Sequence, residues 1–388
     1  MHPLETLAAQ AGALARGDAV AAEHEAARQF GICNACRYCE GFCAVFPAMT
    51  RRLAFERADL HYLANLCHNC GACLHACQYA PPHDFAVALP RALARVRVNS
   101  WAEHAWPPAL GALYRRHGVT LALVLAASLA ALLALAAWRN GTLWGALPGG
   151  DFYRVLPHGT MVALFGPVFL FAVFSLAMGA RRFWRAVSPV TGVIAPGVAA
   201  SGEAADAALR LRYLDGGHGD GCHEADDAPT HARRRLHHLV FHGFLLCFAA
   251  TAVGTVFHYL LGRPAPYDLP ALPKLLGAVG GVALAVGSAG LWVLHRRRHP
   301  LHGDPAQRSL DLGFIALLFW VAVSGLALWA LRPTAAMPLA LCAHLGAVLA
   351  LFLTLPCGRF AHGVFRGIAL LRYAVERRLP SPVAPGSD

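Results

Sequence analysis

The pattern of apolar and polar positions divides the chain into a mixed first quarter and a body of long apolar runs. Six mainly apolar segments lie near 118–138, 158–179, 238–261, 271–294, 311–332 and 338–358. Each is long enough for a helix to cross the hydrocarbon of a bilayer, which takes about twenty residues. Ahead of them, Leu53, Leu60, Leu63 and Leu66 recur mostly at three- and four-residue steps, and no glycine or proline interrupts Arg51 to Leu66. That spacing predicts a helix. Met1 to Phe30 also has helical spacing, but neither the apolar core nor the small-residue cleavage site of a signal peptide. The expected fold is mainly α. A helical-type ferredoxin head spans 1–110, a six-helix transmembrane bundle spans 111–375 with a cytoplasmic loop at 181–237, and a flexible tail covers 376–388.

Composition supports the division. A mean hydropathy of +0.46, with 57% hydrophobic and 14% charged residues, suits a chain whose main solvent is lipid. The formal charge of +11 is read by position. Basic residues stand beside the apolar runs at Arg115 and Arg116, Arg181, Arg182 and Arg185, Arg233 to Arg235, Arg296 to Arg298, then Arg366 and Arg372. The connections near 139–157, 262–270 and 332–337 carry only two, one and one arginines. That asymmetry places the head and both termini on the cytoplasmic side of the inner membrane, with the lipid bilayer rather than nucleic acid as partner.

The chemistry lies in the cysteines. Cys33, Cys36, Cys39 and Cys43 form a C-x2-C-x2-C-x3-C run, and Cys67, Cys70, Cys73 and Cys77 repeat it 34 residues later. Such a run wraps one face of a cubane cluster, and in two-cluster ferredoxins its last cysteine ligates the other cluster. Two [4Fe-4S] clusters are therefore expected, one on Cys33, Cys36, Cys39 and Cys77, the other on Cys67, Cys70, Cys73 and Cys43. The proline usual after the fourth cysteine is replaced by Ala44 and Gln78. A zinc ribbon would leave the fourth cysteine of each run unexplained. Of the remaining cysteines, Cys247, Cys342 and Cys357 read as small apolar residues and Cys222 falls in a loop. The glycines at 216, 217, 219 and 221 read as a flexible loop, and those from Gly277 to Gly290 as positions of close helix packing.

Ionisable residues are nearly absent from the apolar segments: Lys274 and Asp311 sit at ends, and no Asp or Glu lies mid-membrane. That weakens a proton-coupled transporter. Histidines instead stand near segment ends. His344 and His362 are 18 residues apart, so on one continuous helix they share a face about 27 Å apart along the axis. One or two haem b groups are expected, with His258 and His344 paired on the outer side and His238 or His242 with His362 on the inner side. His237 also lies at the inner end, and His158 rivals His258. Histidines at helix ends also cap carbonyls, and His242 and His258 lie about 160° apart around an ideal helix.

With these residues placed, the chain resembles the tricarballylate or citrate utilisation protein B family. The resemblance rests on the run from Cys67 to Pro82, on Leu211 to Gly216, on Arg233 to Tyr259 and on His344 to Gly346. It implies a membrane electron-transfer protein. Such a protein reoxidises the reduced flavin of an FAD-containing tricarballylate-type dehydrogenase and passes electrons through the clusters, with or without haem, to quinone. In the family the position of His242 is often tyrosine, which favours His238 as the inner ligand. The competing readings are a transporter with an iron-sulfur head and a redox-sensing membrane protein.

Overall fold

Helix is the only regular structure among the described residues, apart from one antiparallel bridge between Cys222 and Thr230. The computed structural model describes residues 19–188, 196–381 and 383, without the side chains of 112–117. Residues 1–18 of the expected N-terminal helix, the side chains of Arg115 and Arg116, and most of the tail beyond 381 lie outside the described residues.

The head contains α1 (Ala19–Cys36), α2 (Val45–Met49), α3 (Arg57–Leu66), α4 (Ala72–His75) and α5 (Leu89–His104). The predicted helix over Arg51 to Leu66 begins only at Arg57, because Glu56 is extended and Leu53, counted into the apolar face, is 80% exposed. Arg52 is drawn instead to Asp59 at 2.6 Å and to Glu376.

The body contains α6 (Pro108–Arg139), α7 (His158–Val187), α8 (Val198–Leu209), α9 (Ala232–Tyr259), α10 (Leu272–Arg297), α11 (Pro305–Leu331), α12 (Met337–Thr354) and α13 (Ala361–Glu376). Six of these, α6, α7 and α9 to α12, carry stretches long and apolar enough to cross a membrane, so the protein is multi-pass. α9 and α10 approach backbone to backbone: a Cβ on Gly280 would lie 2.9 Å from the Gly243 oxygen. Small residues permit that approach where lipid offers no hydrophobic drive to association.

Two expectations change. The helix carrying His344 stops at Thr354, and His362 stands on the separate α13, so the two histidines do not share one helix face. Pro356 and Gly358 punctuate the turn between them. The glycine-rich loop is also not a loose spacer. Gly216 and Gly221 have φ of 75° and 113° and fold the chain back on itself, while His218 packs its ring 5.0 Å from Phe42 of the head.

Head and body share one core. Phe30, Met49 and Leu63 belong to the same buried cluster as Phe183 of α7, Ala204 of α8 and Phe365, Leu370 and Tyr373 of α13. Beside it, Glu376 takes Arg52, Arg372 at 3.0 Å and the Tyr62 hydroxyl at 3.0 Å, and Arg372 lies 4.1 Å over the Tyr62 ring.

Candidate metal centres

The 34-residue repeat is also a repeat of backbone shape. It carries Arg37 onto Gly71, and both are left-handed, with φ of 56° and 85°. Each chain therefore reverses directly after the second cysteine of its run. The last cysteines are alike too: backbone N–H groups of Val45 and Phe46 point at Cys43, and those of Tyr79 and Ala80 at Cys77. The turns close on these amides, so the missing prolines are not needed for the geometry.

The runs do not close on themselves. Cys33, Cys36, Cys39 and Cys77 line a cavity of about 290 Å3, and Cys43, Cys67, Cys70 and Cys73 line a narrower neighbouring site. Cys73 borders both, so the two groups adjoin. Tyr38, 69% exposed, marks the solvent side of the first group, hereafter the outer one. The inner group faces the body.

The donor set fits iron-sulfur clusters. Burial and the neighbouring thiols push Cys33 and Cys39 up to about 12 and hold Cys43 and Cys73 well above the ordinary thiol range. Eight soft donors in two sets of four are the ligand set that iron-sulfur clusters take. The amides that aim at Cys43 and Cys77, with Asn69 N–H donating to Cys67 Sγ at 3.3 Å, are the outer hydrogen bonds that tune such sites.

Sequence spacing gives no hint of what surrounds the inner group. Arg233 Nη1 and Arg298 Nη2 donate to the Asn69 carbonyl at 2.8 and 3.1 Å. Arg366 donates to the carbonyls of Cys67 at 2.8 Å and Asn65 at 3.4 Å, and Arg97 to that of Ala64 at 2.8 Å. Arg359 stacks 4.9 Å over Trp101. Burial, together with adjacent guanidiniums, pushes Arg298 and Arg366 down to about 9. His75 of α4 bridges head and loops, 2.6 Å from Asp227 and 2.9 Å from His302.

In the body, a largely apolar cavity of about 920 Å3 lies among α7, α9, α10, α11 and α12. His158, His344 and Lys274 line it together with Phe169, Phe244 and Phe352. His344 Nδ1 meets Ser324 Oγ at 3.1 Å, and Lys274 Nζ lies 4.7 Å over the Trp329 ring. The expected histidine pairs are not formed. The ring of His258 stacks on His158 at 4.0 Å rather than facing His344. His238 and His242 stack on each other at 5.3 Å, one turn apart on α9, while His362 faces His237 at 6.1 Å and 77°. Helix phase could have indicated this, since His237 and the core-facing Phe244 are seven residues apart.

Comparison with known proteins agrees with this architecture. Residues 26–103 match the family model described as the citrate utilization protein B Fer4-like domain, and residues 111–383 match that of citrate utilization protein B. The chain is 52% identical over 378 residues to the citrate utilization protein B of Escherichia coli, covering 97% of each. No solved structure matches it. An iron-sulfur head of this pattern fused to a six-span body, matched along nearly its whole length, places the chain in the citrate utilization protein B family.

Proposed function

We propose that this membrane protein takes electrons from the reduced flavin of a separate FAD-containing dehydrogenase, of the tricarballylate or citrate utilisation type, and delivers them to membrane quinone. The observation that carries the reading is the arrangement of the eight cysteines as two adjoining groups, one open to solvent and one against the membrane body. Cys33, Cys36, Cys39 and Cys77 hold the outer [4Fe-4S] cluster, and Cys43, Cys67, Cys70 and Cys73 the inner. When bound, the clusters supply one-electron relay between a two-electron donor and a lipid-soluble acceptor. The printed name of the Escherichia coli relative, citrate utilization, supports the class of partner.

Tyr38 and the solvent-facing mouth of the outer group present the docking face. The basic segments support a head on the cytoplasmic side of the inner membrane, since Arg182 donates to Ala105 and Arg298 to Asn69. In the body, the cavity offers quinone an apolar chamber with His344 and Lys274 as donors to its carbonyl oxygens. A second reading puts haem b in that cavity, favoured by His158 and His344 lining it together. A reduced-minus-oxidised optical spectrum decides between them, sharp haem bands establishing the second reading and the broad bleaching of the clusters alone removing it.

The function is tested with the full chain in liposomes, a quinone and the reduced flavoprotein. Quinone reduction that needs both proteins is the expected outcome. A cluster-loaded chain that passes no electrons, yet moves the organic acid across the liposome wall, would establish the transporter instead. One that does neither would leave the redox sensor.

A further inference from the structure

Five guanidiniums gather where the body meets the inner group: Arg233 from α9, Arg298 just past α10 and Arg366 from α13 bond its loop, Arg97 from α5 bonds Ala64 just ahead of it, and Arg359, between α12 and α13, stacks on Trp101 of α5. Arg233 has Glu224, and Arg359 has Asp311 at 3.1 Å. Among the described residues no carboxylate lies within ion-pair distance of Arg97, Arg298 or Arg366. Arg97 is 1% exposed, and both of its Nη atoms, Arg298 Nε and Arg359 Nη1 are buried with no hydrogen-bond partner.

A buried cation without counter-charge is strongly unfavourable, and crowding like charges makes it worse. Arginine does not escape by losing its proton. Something anionic belongs here, and the chain itself supplies it. Four thiolates around a cluster core of charge about +2 leave a net charge of about −2, and about −3 after one electron is added. Three of the five arginines already reach the loop that carries those thiolates, through the carbonyls of Cys67 and Asn69. The outer group differs: the guanidinium that reaches its loop, Arg37 to the Asn34 carbonyl at 3.3 Å, is exposed to solvent rather than buried.

We propose that these arginines form a cationic collar that balances the charge of the inner cluster and raises its reduction potential above that of the outer one. The collar comes mostly from the membrane body, so docking of head on body is what sets the gradient. One electron leaves the outer cluster, which is oxidised, and reduces the inner one; no bond or proton changes hands. Because reduction adds negative charge beside fixed positive charge, the electron settles on the membrane side. The inference rests on the cluster reading above.

The test is a redox titration of the full-length, detergent-solubilised chain followed by electron paramagnetic resonance. Wild type should show two potentials. Arg366→Gln should lower one of them, cutting the share of electrons held by that cluster about tenfold, or about 59 mV for a one-electron couple. Arg366→Lys should restore most of the loss. Arg298→Gln should lower the same potential, and Arg298→Lys should spare it. If the Gln variants move neither potential, or move both equally, the collar does not exist as described. If a Gln variant loses one cluster while its Lys counterpart keeps both, the charge is what is required and the inference stands. If the Lys counterpart loses it too, side-chain shape rather than charge is at work and the inference falls. A wild-type chain lacking cluster signals and about eight irons overturns the cluster reading instead, so the two failures are distinct.

Discussion

Gly71 is the residue on which two demands meet. Its φ is 85°, and a Cβ there would lie 2.6 Å from the ring of His302, a residue buried between head and body. Gly71→Ala should therefore cost about 2 kcal/mol from the left-handed backbone alone, before the His302 ring is displaced. It should lower both the melting temperature and the iron content of the purified chain. An alanine variant with wild-type values of both would show that the loop relaxes freely. At this scale the cysteine pattern was legible because ligand spacing is covalent. Arg37 was not, since nothing in its identity announces a left-handed turn until the repeat aligns it with Gly71. The arginines of the collar were hidden for another reason: they reach residues 64–69 from positions 97, 233, 298 and 366, and no local period records contacts that distant.

Helices were easier to find than their ends or their facing. The six crossings follow from apolar length alone, and the structure has helices at all six places. The single helix face expected for His344 and His362 is absent, because Pro356 and Gly358 lie between them and the helix ends there. The break matters, because it frees α13 to lie under the head and carry Arg366, Arg372 and Glu376 there. Glu376, 7% exposed, is the fastening: Arg52, Arg372 and the Tyr62 hydroxyl all converge on it. Removing one partner of a buried charge network costs about 3–5 kcal/mol, since it leaves uncompensated charge behind. Glu376→Ala should accordingly loosen the head from α13 and open Arg51 and Arg52 to trypsin, while Glu376→Gln, which keeps a hydrogen-bond acceptor, should do so less. Equal protease resistance in all three chains would mean that the shared apolar core holds the head without the network.

On the scale of the whole molecule, the two ends differ in charge and in how that charge is used. The head side gathers the arginine collar and the basic C-terminal ends of α7 and α10. On the far side, Arg332 is committed to structure: it pairs with Asp268 at 2.7 Å and donates to the Gly149 carbonyl at 2.8 Å, tying together the three connections there. Loops richer in Lys and Arg are the ones retained in the cytoplasm, so the head-side surplus supports the orientation proposed above. The far connections should then be reachable from outside an intact cell and the head-side ones not. Ala146, exposed between α6 and α7, and Ser201, exposed on α8, are suitable reporters. With a membrane-impermeant maleimide, Ala146→Cys should label on intact cells, and Ser201→Cys only after permeabilisation, each measured above the labelling of the parent chain. The reverse pattern would put the cysteine groups outside the cell, away from any cytoplasmic flavoprotein, and the electron donor would have to be sought on the other side of the membrane.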